Sequence, residues 1–503
     1  MADALFLGLD IGTSGVKAIL VDGSGDVKSV ATTPLYLSTP QPGWAEQDPE
    51  RWWEAALASM QDVQSGGAMA RVAAVGISGQ MHSSVFLDRT GEVIRPALLW
   101  CDGRTTAECQ EITQRVGGEE QLRKWVCNPA LEGFTLPKVL WLRKHEPQAF
   151  SRLAKVLLAK DYIRYRLTGA LATEPSDASG TLMFDPARMR WSQEIMRAVA
   201  LPMDLLPDVG GSSEILGRVT RTVAALTGLE AGTPVVGGGA DNACGAAGVG
   251  VVTSGEGVSS WGTSGTVLAP MREPLVDPGL RAHTFCHVVP DLWYLMGVVL
   301  SAGGAFAWYR DQFARDLVGG NSVDPNERLN AEAAAIPVGA EGVTFLPYLQ
   351  GERTPHRDAS ARGAILGLSL AHTRAHVTRA VLEGVAFALR DSLSILRELG
   401  LEPRELLLTG GGARSEFVRQ LQAEVFGVPV CTVNREEGPA YGAALLAAVG
   451  TGVFPDLVEA ARRTMTRTPL QHPDPNVHRQ YEHPYARFRE SYRAARSSHS
   501  PQT

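Results

Sequence analysis

The tetrapeptide Gly-Thr-Ser-Gly occurs twice in this chain, at 12–15 and at 262–265, 250 residues apart. Each copy lies between two apolar runs, 5–10 and 16–22 around the first and 257–261 and 266–268 around the second. Apolar runs joined by a glycine and hydroxyl turn read as a β-hairpin. One copy is an ordinary turn, but two copies near the starts of the two halves predict two domains of one design. The boundary is expected within 245–256, where small residues concentrate, giving an N-terminal domain over 1–248 and a C-terminal domain over 249–485.

Around the first hairpin, 27–33 reads as a third strand, and Asp48-Pro49-Glu50 supplies a cap, a first-turn proline and an early acid for a helix through Met60. Strands are expected at 72–78 and 84–87, and strand, helix, strand makes an α/β layer. In the second half, 376–388 has the three-and-four spacing of a buried helix, 405–409 reads as a strand entering Gly410-Gly411-Gly412, and 415–426 as a helix. Gly438-Pro439-Ala440 opens a last apolar helix, and 486–503, rich in Arg, Ser and His, reads as a flexible tail.

Composition narrows the partners. The 503 residues carry a formal charge of −7, which argues against nucleic acid. The six cysteines are scattered without a Cys-x-x-Cys pair, as free thiols in a reducing cytoplasm would be. The apolar stretch 235–252 is interrupted by Asp241, Asn242 and several glycines, so no membrane span is expected, and no secretion signal is visible.

The two turns are where chemistry is expected, because backbone N–H groups and hydroxyls in a glycine turn can converge on phosphate oxygens. There is no Gly-x-x-x-x-Gly-Lys-Ser/Thr loop. Asp10, immediately before the first turn, either caps it or lies beside a phosphate; the second placement needs a cation such as Mg²⁺. Lys17 either reaches phosphate or is solvated. Asp241, a carboxylate among apolar and glycine residues, reads equally as a general base with a raised pKa or as a helix N-cap. Met81 and His82 end the strand begun at 72, where ligands prefer to bind, although a lone His is more often structural.

Further segments carry a resemblance. Leu9-Asp10-Ile11-Gly12-Thr13-Ser14-Gly15-Val16-Lys17, Trp44-Ala45-Glu46-Gln47-Asp48-Pro49, Gly79-Gln80-Met81-His82, Trp100-Cys101-Asp102-Gly103-Arg104, Lys160-Asp161-Tyr162, Gly239-Ala240-Asp241-Asn242 and the stretch 345–356 are similar to those of the FGGY carbohydrate kinases. So are the two signature regions, 133–141 and 363–383. The resemblance covers nearly the whole chain. It implies an α/β fold of two actin-like ATPase (ribonuclease H-like) domains with the active site in the cleft between them.

By that resemblance Asp241 is the general base and Asp10 organises Mg²⁺. Thr13, Ser14, Lys17, Gly262 and Thr263 contact the ATP phosphates, and Gly411, Gly412, Ala413 and Glu416 lie at the adenosine end. Gln80, Met81, His82 and Asn242, with Asp241, hold the sugar. The implied reaction is transfer from ATP to O5 of D-xylulose in xylose catabolism, by an enzyme often found as a homodimer. Glycerol kinases carry Arg-Glu where this chain has Met81-His82. Gluconate kinases are closer, since they too show Met-His-Ser, as at Ser83, but they tend to have Gly where Asn242 stands. A third reading, an actin-like ATPase acting as a switch, leaves the sugar-pocket residues without a task.

Overall fold

The computed structural model describes residues 4–64, 67–317, 324–435 and 437–499. Strand β1 (Leu5–Ile11) is apolar except at Gly8 and Asp10, the continuous pattern of a strand covered on both faces. It lies inside a sheet with β2 (Gly15–Asp22), β3 (Val27–Pro34), β4 (Val72–Gly79), β5 (Ile215–Arg218), β6 (Pro234–Val236) and β7 (Gly239–Ala240). The order is β5-β6-β4-β1-β2-β3, with β7 paired to the end of β4. Helix α1 (Pro49–Asp62) covers β2 and β3. It starts where the sequence signals it, the Asp48 carboxylate accepting the Glu50 N–H at 3.0 Å. The strand expected at 84–87 is Val85–Leu87, and it pairs with Lys155–Leu157 outside this sheet.

The second sheet repeats the design. After helix α2 (Asp241–Gly248) come β8 (Gly257–Trp261), β9 (Gly265–Met271), β10 (His283–Cys286), β11 (Trp293–Val299), β12 (Leu406–Thr409) and β13 (Val430–Cys431), in the order β10-β11-β9-β8-β12-β13. In both sheets the hairpin is antiparallel, and its first strand runs parallel to a later one, β1 to β4 and β8 to β12. Helices α3 (Gly303–Phe313), α4 (Arg374–Glu398) and α5 (Glu416–Phe426) pack around this half. Val267 and Leu295 of the sheet and Val385 and Leu389 of α4 are fully buried in one cluster. Each such side chain contributes about 1.5–3 kcal/mol.

Helix α6 (Pro439–Gly450) packs against β1 and β4 of the first sheet and against α2. The approach is close enough that a Cβ on Gly76 would lie 1.9 Å from the Ala443 carbonyl oxygen, and one on Gly442 2.0 Å from that of Cys244. Glycine and alanine at the crossing therefore let the backbones meet. Two helices, α2 and α6, thus form the junction between the halves.

One expectation is corrected. Helix α6 is followed by two far less apolar helices, Leu457–Thr464 and α7 (Pro475–His499). Residues 486–499 of the expected flexible tail belong to α7; 500–503 lie outside the described residues. Tyr481, Tyr485, Phe488 and Tyr492 recur every three or four residues, form one face and are buried against the second-domain core. The Tyr485 hydroxyl donates to Asp391 at 2.5 Å and that of Tyr492 to Asp358 at 2.8 Å. Among the described residues no helix is long and apolar enough to cross a membrane. All six cysteines are unpaired.

Candidate active site

The first turn and the end of β4 meet because β1 and β4 are in parallel register, Ile11 opposite Gly79. The Thr13 hydroxyl donates to Gln80 Oε1 at 3.0 Å and accepts from Trp100 Nε1 at 2.9 Å. Gln47 Nε2 donates to the Thr13 carbonyl at 2.8 Å, while Gln47 Oε1 accepts from Trp52 Nε1 at 2.9 Å and Gln80 Nε2 at 3.3 Å. The buried Gln80 amide is therefore engaged at both ends within this network. It braces the first turn and keeps one N–H and one oxygen lone pair. Likewise, the Thr13 hydroxyl proton is committed to Gln80, while the Gly12 N–H closes the turn on the Gly15 carbonyl. Ser14 is exposed at the tip.

Asp10, next to the last residue of β1, has Lys17 as its cross-strand neighbour. Its Oδ1 is buried without a hydrogen-bond partner. Burial pushes the carboxyl up to about 6, opposed by the charge of Lys17. Asp241 is the first residue of α2, not its N-cap, a position held by Ala240. Its Oδ1 accepts from the Asn242 N–H at 2.8 Å and from Asn242 Nδ2 at 3.0 Å. Burial, and next the charge of Asp10, push it up to about 7. Two neighbouring carboxylates that resist ionisation, one with an orphaned oxygen, suit a hard divalent cation that keeps some of its waters. Among the described residues no cluster of three or more His, Cys, Asp or Glu side chains could hold a metal by itself. A Mg²⁺ here would rest on Asp10, water and phosphate oxygens.

Met81 and Asn242 touch, Nδ2 lying 3.6 Å from the Met81 sulfur, and the Tyr294 hydroxyl lies 3.8 Å from the same sulfur. His82 has φ 68°, a left-handed conformation that costs a non-glycine residue about 1 kcal/mol or more. Its carbonyl is held by Thr135 Oγ1 at 3.1 Å and Lys138 Nζ at 3.0 Å, and its Nδ1 meets the Gly180 carbonyl. Thr135 and Lys138 come from the first signature region, whose part is to support His82. Burial holds the imidazole down at about 3, so it is neutral at physiological pH. With Nδ1–H assigned as donor to Gly180, Nε2 is an acceptor.

The second-domain residues gather around two cavities. One, of about 1240 Å³, is lined by Gly262, Thr263, Gly411, Gly412 and Glu416. The other, of about 790 Å³, is lined by Asp241, Asn242, Gly410, Gly411 and Ala413. They share Gly411 and Arg414. Asp10, Thr13, Ser14, Lys17, Gln80, Met81 and His82 line neither. Sequence reasoning missed Gly303 and Gly304, which open α3 in the first cavity. Their N–H groups donate to the Gly262 and Thr263 carbonyls at 2.7 and 2.9 Å, seating the second turn on the helix. A Cβ on Gly303 would lie 2.6 Å from the Gly262 oxygen, so the paired glycines after an apolar strand were the available signal.

Known proteins show the same organisation. The model for the N-terminal domain of the FGGY family of carbohydrate kinases matches residues 5–248, and that for the C-terminal domain matches 257–451. The xylulose kinase of Escherichia coli is 41% identical over 97% of this chain and 98% of its own. Ligand-bound xylulose kinase from Lactobacillus acidophilus superposes with a TM-score of 0.91 at 27% identity, covering 99% of this chain and 100% of that one. The gluconate kinase of that organism does so with 0.90 at 27%, with the same coverage. The two sheets, the hairpin in each and the junction of α2 and α6 are thus those of a two-domain, actin-like sugar kinase, and the chain belongs to the FGGY family of carbohydrate kinases.

Proposed function

We propose that this phosphotransferase moves the γ-phosphoryl group of ATP to O5 of D-xylulose, giving D-xylulose 5-phosphate and ADP in a reducing cytoplasm. The observation that carries the reading is Asp241: a carboxylate pushed up to about 7, paired with Asn242, whose amide reaches the Met81 sulfur. The xylulose kinases of high identity over nearly full length support the choice of sugar.

A base with a pKa near the working pH accepts a hydroxyl proton and still releases it afterwards. In the proposed step Asp241 takes the O5 proton as the O5–phosphorus bond forms. The bond from phosphorus to the β–γ bridging oxygen breaks, and ADP leaves with its electron pair. The His82 Nε2 acceptor and the Asn242 amide orient sugar hydroxyls. The nucleotide lies in the second-domain cavity against Thr263, Gly411 and Gly412, its phosphates directed towards the Asp10 and Asp241 end. Bound Mg²⁺ would neutralise phosphate charge there, with Asp10 among its holders. Lys17 adds positive charge next to Asp10, and the turn braced by Gln80 presents its N–H groups.

The test is ATP-dependent phosphorylation of D-xylulose, D-gluconate, D-ribulose, L-ribulose and glycerol with Mg²⁺, against the sugar-free ATPase rate. A clear preference for D-xylulose is expected. Preference for D-gluconate would reassign the pocket, and turnover of no sugar would overturn the reading.

A further inference from the structure

The segment 174–181 is a polar stretch with a proline, yet Glu174, Ser176, Asp177, Ala178, Ser179, Gly180 and Thr181 are all buried. It owes this to a fully paired carboxylate. Glu174 accepts the Ser176 and Asp177 N–H groups at 2.9 Å each, and the Ser176 and Ser212 hydroxyls at 2.8 Å each. Lys160 Nζ lies 3.5 Å from it. The helical turn Pro175–Ala178 is thereby fixed at its start.

Beyond its ties to Lys160 and Ser212, three hydrogen bonds leave this turn, two towards the proposed sugar end of the site and one to the second sheet. The Ser176 hydroxyl accepts the N–H of Ala240, the residue before Asp241, at 2.9 Å. The Gly180 carbonyl holds His82 Nδ1. The Ser179 hydroxyl accepts the Cys286 N–H of β10, in the second sheet, at 3.2 Å. Gly180 also packs directly on the pair of interest: a Cβ there would lie 2.9 Å from His82 Nδ1 and 2.9 Å from the Met81 methyl carbon.

We propose that 174–181 is the platform that sets the position of Asp241 relative to Met81 and His82, with Ser176 and Gly180 as positioning residues for the sugar and not for the nucleotide. This rests on the reading of Met81, His82 and Asp241 as the sugar end of the site. The platform is tied to both sheets, so it holds the sugar site in register with the second domain. Glycine is required at 180 because any side chain would enter the space of Met81 and His82.

Gly180→Ala and Ser176→Ala test this. Gly180→Ala is expected to raise KM for D-xylulose about tenfold or more, since sub-ångström displacement of binding groups is costly. KM for ATP and the sugar-free ATPase rate stay within roughly twofold. Ser176→Ala, which adds no atom and removes two hydrogen bonds, the one accepted from the Ala240 N–H and the one donated to Glu174, lowers kcat with D-xylulose about fivefold and spares KM for ATP. The melting temperature gained on adding saturating D-xylulose falls in Gly180→Ala, while the gain from ATP does not. Should Gly180→Ala not fold, the Ser176→Ala split decides. Folded variants that keep wild-type sugar parameters, or that lose ATP and sugar affinity equally, overturn the platform alone. A wild-type chain that phosphorylates no sugar overturns the functional reading and the platform with it.

Discussion

Replacing Asp241 with Asn should cripple sugar phosphorylation and at the same time stabilise the protein. Burial and the charge of Asp10 push the Asp241 carboxyl from 3.8 to about 7. A group whose folded pKa is raised contributes stability that is fully present below its unfolded value and is lost as pH rises through its folded value. The window therefore runs from about pH 4 to about pH 8. At about 1.36 kcal/mol per pKa unit, the ionised carboxylate costs at most about 4 kcal/mol at the upper end. Because Asp241 is only half-buried, solvent screening reduces this to about 2 kcal/mol. Asn is uncharged and retains Oδ1 for the Asn242 N–H, so it removes the cost without opening a cavity.

At roughly 2–4 °C per kcal/mol for a chain built of domains this size, the Asp241→Asn variant should melt about 4–8 °C above wild type at pH 8.5. The gap should shrink as pH falls towards 4.5, where wild-type Asp241 is protonated when folded. Scanning calorimetry without nucleotide or divalent cation measures it. Activity in the same preparation should drop by about 10²–10⁴ from loss of the base. A variant that melts at or below wild type at pH 8.5, or a gap that does not change with pH, would refute the argument that Asp241 is held in surroundings hostile to its charge.

Two further outcomes are expected. Thr13→Val removes the hydroxyl that joins Gln80 to Trp100, so KM for ATP should rise about tenfold while KM for the sugar changes less; equal changes would show that the brace does not serve the phosphate turn. Ending the chain after Tyr485 removes the buried Phe488 and Tyr492 and should cost at least about 4 kcal/mol, read as a lower urea midpoint, whereas a flexible tail would be lost without effect.

What was legible in the sequence is what its nearest neighbours encode. The two hairpins need only a glycine and hydroxyl turn between apolar runs, and α1 needs only Asp48 and Pro49, so both are written within a few residues. The tail was misread for a related reason: its anchors are only Phe488 and Tyr492, set among arginines, and a tyrosine can bury its ring while its hydroxyl finds a distant partner such as Asp358. Nor does an alanine-rich helix such as α6 state which sheet it will cover, because small residues fit any close crossing.

The site was legible as residue types but not as roles, for a physical reason that Gln80 and His82 show. A polar side chain near a ligand acts through whichever of its donors and acceptors remain after its neighbours have taken theirs. Gln80 reads as a sugar ligand, yet Thr13 and Gln47, 67 and 33 residues away in the chain, each take one of its amide's hydrogen bonds. His82 reads either as a ligand or as structural until burial is seen to keep it neutral and Gly180, 98 residues on, to take its Nδ1. What it can then offer a sugar is one lone pair, in a backbone conformation that Thr135 and Lys138 hold by its carbonyl. The chemistry of such a pocket is thus fixed by partners distant in sequence, which is why a rigid turn such as 174–181 can govern it without belonging to any motif.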